Sequence, residues 1–174
     1  MRAGAAASGG GALFDGSACT MPDNAEVTNL LKQDHREISS LFKKFEGAGE
    51  GKRNQKKDVF RDIQQGLETH TMLEEEIFYP AVKRIDEEMI AESLQEHHVV
   101  DVLLKEAEGL AADGGEEFDA KMAVLMESVQ HHVDEEEKNL FPKVEKEMDR
   151  EERTHLGERI TSRKEQLRRS ARAA

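Results

Sequence analysis

Four histidines and two glutamates recur in this chain at a fixed offset of 62 positions. His70 lies 35 residues after Asp34-His35, with Glu74 four residues beyond it. His132 lies 35 residues after Glu96-His97, with Glu136 four residues beyond it. The two His-Glu pairs run into Phe78-Tyr79-Pro80 and Leu140-Phe141-Pro142. On a helix, residues four apart share a face with Cβ atoms about 5–6 Å apart, so each pair presents an imidazole and a carboxylate to one point. Imidazole with carboxylate is a ligand set for divalent transition ions. An inward carboxylate needs positive charge, because acidic side chains are almost never fully buried unless paired or metal-bound. No Lys or Arg shares these stripes, so a pair of divalent cations is expected to supply it. A lone His-Glu pair is common on helix surfaces, and one inward histidine is usually a satisfied core residue. Six such residues in matched register are not explained in either way.

Helices must position them. Leu31, His35, Ile38 and Phe42 fall on one helical face, and Gly47, Gly49 and Gly51 end that helix. A second helix is expected from about 54 to 85, striped by Val59, Ile63, His70, Ile77 and Ala81, with Pro80 kinking it or tightening its last turn. A third spans 87 to 112 (Ile90, Leu94, His97, Val100, Leu104), and Asp113-Gly114-Gly115 breaks it. A fourth spans 116 to 148 (Met122, Leu125, Val129, His132, Glu136, then Leu140 or Lys143). The fold class is therefore all-α: an up-down-up-down antiparallel four-helix bundle over residues 22–149, built from two αα-hairpins related by a pseudo-two-fold axis. Residues 1–21, small and glycine-interrupted, read as a disordered extension. Residues 150–174 carry eight Arg or Lys against four Glu and read as a short basic helical tail that could contact an acidic protein partner.

Composition limits the function classes. At 174 residues the chain fits one domain with a real core. Its 36% charged residues, three prolines and absent tryptophan suit soluble helices. A formal charge of -12 argues against nucleic acid as the main partner. No apolar run approaches the ~20 residues that span a bilayer, and the single Cys19 fits a reducing, cytoplasmic location.

The matched Asp34-His35, His70, Glu74, Glu96-His97, His132 and Glu136, with their aromatic-proline runs, resemble the hemerythrin-like family of HHE cation-binding domains over about residues 24–148. The resemblance implies a bundle holding two non-haem iron ions that meet dioxygen or a related small ligand such as nitric oxide or peroxide. It makes His35, His70, His97 and His132 terminal ligands and Glu74 and Glu136 bridging carboxylates, beside an oxo or hydroxo bridge. Glu137 competes with Glu136 as the bridge. His98 and His131 are expected to be decoys, because choosing His131 breaks the spacing of 35 and turns the pair off the stripe by about 100°. His155 is expected at the surface. Oxygen-carrying members have a fifth histidine four residues after the third; here that place is Asp101, a candidate ligand or an orienting group behind one.

Three functions follow from this set. Ferritin-like di-iron sites use four glutamates and two histidines, whereas two carboxylates here leave a more positive, imidazole-rich site. That favours binding or sensing of a small ligand, or of iron itself. The alternatives are a di-iron redox enzyme acting on peroxide or ferrous iron, and a bundle stapled by zinc, which imidazole also suits.

Overall fold

Buried residues recur along each helix at steps of three and four, and those stripes dictate how the helices meet. The structure, a computed structural model, describes residues 25–49, 52–111 and 115–173; the expected extension over 1–21 lies outside them. α1 (Val27–Gly47) turns at Gly49, whose φ of 65° favours glycine. α2 (Arg53–Leu73) runs through a π-turn (Glu74–Phe78) into α3 (Tyr79–Val82). α4 (Glu87–Ala111) follows, its first turn capped by Asp86 Oδ1, which accepts from Met89 N at 3.1 Å. α5 (Glu116–Glu135) runs through a second π-turn (Glu136–Leu140) into α6 (Phe141–Glu147), and α7 (Arg150–Ala173) closes the chain. Among the described residues there is no strand, and no helix is long and apolar enough to cross a membrane.

α1 packs on α2, α4 on α5, and the hairpins join through α2 and α4. Two apolar clusters fill the bundle. One contains Leu31, Phe78, Tyr79, Ile90 and Phe141; the other contains Ile38, Phe60, Phe118, Met122 and Leu125. Burying each large side chain stabilises the fold by about 1.5–3 kcal/mol, and the ring edges of Phe45 and Phe60 on Phe118 add to that. In α1, α2, α4 and α5 one buried histidine falls between residues of the two clusters, so a polar layer is sealed above and below by hydrocarbon.

Two sequence expectations change. The turn before Pro80 widens instead of tightening, and the turn before Pro142 does the same: Tyr79 N and Phe141 N reach back five residues, to the carbonyls of Glu74 and Glu136. Pro80 and Pro142 lack the N–H for the usual bond and would clash with the carbonyl four residues back; opening the turn relieves both. The tail is not short. α7 is 24 residues long and folds back on α1, α2 and the first π-turn. Met148, with ψ 138°, breaks it from α6, and a reciprocal capping box starts it: Glu152 N donates to Asp149 Oδ1 and Asp149 N to Glu152 Oε2. Leu156 and Ile160 are buried against the bundle. Gly157 permits this approach, since a Cβ there would lie 1.9 Å from the Ala25 carbonyl oxygen. The tail's basic residues meet acidic residues of their own bundle, Arg153 with Glu26 at 2.7 Å and Arg163 with Glu76 at 2.9 Å.

Candidate metal centre

α1, α2, α4 and α5 each contribute one histidine to the polar layer, and the two π-turns begin at its glutamates. Adding a residue to the helix there lets Glu74 and Glu136 follow His70 and His132 inward while Phe78 and Phe141 still face the apolar cluster. His35, His70, Glu74 and Glu136 offer ligand atoms within 4.8 Å of one another, as do Glu74, His97 and His132. The Nε2 atoms meet in pairs, His35 with His70 and His97 with His132, each at 3.2 Å. Each glutamate touches both groups. Glu74 Oε2 is 3.2 Å from His70 Nε2 and 3.3 Å from His97 Nε2; Glu136 Oε2 is 3.3 Å from His35 Nε2 and 3.6 Å from His132 Nε2.

Outside this cage stands a second ring of carboxylates, arranged with the same offset of 62. Glu137 accepts from His35 Nδ1 at 2.8 Å, and its counterpart Glu75 accepts from His97 Nδ1 at 2.9 Å. Glu96 accepts from His132 Nδ1 at 2.9 Å, while its counterpart Asp34 stays 4.0 Å from His70 Nδ1. An ionised carboxylate only accepts, so these bonds put the ring proton on Nδ1 and turn the Nε2 lone pair into the cage. Glu137 thus stands behind His35, not among the inner oxygens. Glu75 was not singled out from the sequence; its offset from Glu137 is the signal that identifies it.

Asp101 is not brought to the centre. Its side chain is 52% exposed and accepts from Lys105 Nζ at 2.5 Å. The buried stripe of α4, through Ser93, His97, Val100, Leu104 and Ala107, leans to the other shoulder of His97; Asp101 lies roughly 80° from its axis. His98 and His155 are exposed, and His131 faces outward with its Nε2 3.3 Å from Glu96.

Tyr79 is a further residue of the site. Its hydroxyl donates to Glu136 Oε1 at 3.0 Å and lies 3.2 Å from His97 Nε2. The counterpart 62 residues later is Phe141, stacked on His35. Burial, then the charges of Glu74 and Glu136, push the phenol well above its ordinary range, so it remains a donor.

The electrostatics call for a cation. Burial, and then Glu136, raise Glu74 well above the usual carboxylate range. Burial opposes ionisation of Glu136 too, but the imidazoles of His35 and His132 beside it outweigh that and hold it low. Burial depresses His70 strongly, with His35 adding to the effect. Burial works against protonated His35 as well, yet Glu136 and Glu137 keep it above its ordinary value. Both Glu74 oxygens and Glu136 Oε2 lack a hydrogen-bond donor. Orphaned buried carboxylate oxygens facing imidazole lone pairs fit bound metal cations.

Residues 26–144 match the Hemerythrin HHE cation binding domain. A hemerythrin-like protein of Schizosaccharomyces pombe is 28% identical over 75% of this chain and 64% of its own length. A DNA nickase of Nostoc is 26% identical over 72% of this chain and 36% of its own length. The chain therefore spans less than two thirds of either relative. The crystal structure of a hemerythrin HHE cation binding domain-containing protein from Mycobacterium kansasii superposes with a TM-score of 0.73 at 25% identity, over 84% of this chain and 89% of that one. This chain belongs to the hemerythrin HHE cation-binding family.

Proposed function

We propose that the chain is a non-haem di-iron protein that binds or senses dioxygen, or a related small ligand such as nitric oxide or peroxide, or iron itself. The observation that carries this is the convergence of four imidazole Nε2 atoms on two glutamates, three of whose four buried carboxylate oxygens lack donors. In this reading His35 and His70 would hold one ion and His97 and His132 the other, with Glu74 and Glu136 supplying the carboxylates between them. When bound, the irons supply open, redox-active Lewis-acid positions for the ligand. Glu137, Glu75 and Glu96 fix the tautomers and aim the imidazoles. The apolar layers on both sides keep water out. The test is the visible spectrum of the ferrous-loaded protein as oxygen is admitted anaerobically and then removed. A change that reverses supports the reading; no response, or rapid irreversible loss, overturns it.

One observation favours the alternative of a redox enzyme consuming peroxide or oxidising ferrous iron. Tyr79 holds a proton at the centre, 3.0 Å from Glu136 and 3.2 Å from His97, where reduction of a bound oxidant would need one. Peroxide consumption by iron-loaded protein that falls in Tyr79→Phe would favour this reading. Absent turnover removes it.

A further inference from the structure

We infer that the cleft between α1, α2 and α7 is the route by which a divalent cation reaches and leaves the centre, with the Lys164–Asp34 ion pair as its gate. The inference rests on the two-metal reading. The cleft encloses about 550 Å³ and is lined by the carboxylates of Asp34, Glu37, Asp62 and Glu68 against only Lys164 and Arg168. His70 lies at its wall, 3% exposed, and its Nδ1 has no hydrogen-bond partner. The other three imidazoles are each clamped from behind by a carboxylate at 2.8–2.9 Å. Asp34 would clamp His70 as Glu96 clamps His132, but its Oδ1 is taken by Lys164 of α7 and its Oδ2 stays 4.0 Å from His70 Nδ1. His70 is therefore the imidazole whose ring turns without breaking a bond behind it.

The second hairpin lacks this arrangement. Positions 62 residues after Glu37, Asp62 and Glu68 are Val99, Val124 and Gln130, so these three carboxylates have no acidic counterparts, and Glu96 keeps its bond to His132 Nδ1. Docking of α7 does not require Lys164, since Leu156, Ile160, Arg153 and Arg163 hold it. What Lys164 adds is possession of Asp34.

Cobalt(II) provides the test, being visible and exchangeable. The full chain is loaded with it, and its loss to excess EDTA is followed by absorption. Wild type is expected to lose two ions in two phases. In Lys164→Met, Asp34 is free to close on His70, and the fast phase should slow about tenfold, within the range outer-shell partners command; Lys164→Arg should leave it fast. Cobalt uptake should also slow several-fold and lose its salt dependence in the surface variant Glu37→Gln/Asp62→Asn/Glu68→Gln, whose side chains are exposed. An unchanged or faster fast phase in Lys164→Met, or unchanged uptake in the triple variant, overturns the gate while two bound cobalt ions keep the two-metal reading intact. Fewer than two cobalt ions per wild-type chain would refute that reading and the gate with it.

Discussion

The hairpin of α1–α3 and the hairpin of α4–α6 hold the same residues at the cage and different ones around it. His35, His70, Glu74 and Glu75 have counterparts of identical type in His97, His132, Glu136 and Glu137. Asp34 and Glu96 differ by one methylene, Tyr79 is answered by Phe141, and α7 packs mainly on α1, α2 and the first π-turn. The repeated residues are those whose lone pairs face the centre or whose carboxylates aim them. The unrepeated residues decide which side has a proton to give and which side opens to solvent. In such a protein the pseudo-two-fold fixes the ligand cage, and departures from it set its chemistry and its access.

The largest expected difference between the halves is in the metal-free protein. Glu74 has no donor on either oxygen, whereas Glu136 accepts from Tyr79 and has His35 3.3 Å away. Glu74→Met and Glu136→Met should each lower metal affinity by more than about 100-fold, as loss of an inner ligand exceeds the outer-shell range. Thermal unfolding without metal should separate them. Glu74→Met should stabilise by about 1–3 kcal/mol, the scale of removing an unsatisfied buried polar group, and Glu136→Met should destabilise. Equal shifts of one sign would mean the halves are electrostatically alike.

Next in size is the cover of the first hairpin. Gly157→Ala places a methyl against the Ala25 carbonyl oxygen and should cost about 1–3 kcal/mol by forcing α7 off α1. Amide exchange in α7 and along the α1–α2 face should rise, while α4–α5 stays protected. Uniform loss of protection would contradict a helix that serves one half.

The smallest effect comes from restoring symmetry. Phe141→Tyr should bring a hydroxyl toward Glu74 as Tyr79 brings one to Glu136, stabilising the metal-free fold by about 0.5–1.5 kcal/mol. A lower melting temperature would show that the surroundings of Phe141 reject a polar atom.

The offset of 62 and the spacing of 35 made the helices, their pairing and the six inner residues legible, because buried stripes obey the helical period. The choice of His132 over His131 followed from the same rule, and His131 lies at the surface. Asp101 falls outside the cage because residues four apart drift by about 40° on a helix, and the stripe of α4 leans the other way. The π-turns follow from two prolines acting against a ladder of carbonyls, which periodicity alone does not expose. The capping box Asp149-x-x-Glu152 did stand in the sequence as a signal for a new helix at 150. That α7 folds back onto α1, and that Lys164 reaches Asp34, depends on packing between segments 130 residues apart.

Anomalous diffraction at the iron edge from crystals of iron-loaded protein tests the central claim most directly. The account predicts two peaks per chain between Glu74 and Glu136, one beside His35 and His70 and the other beside His97 and His132. A single peak, or iron bound outside this cage, would contradict it.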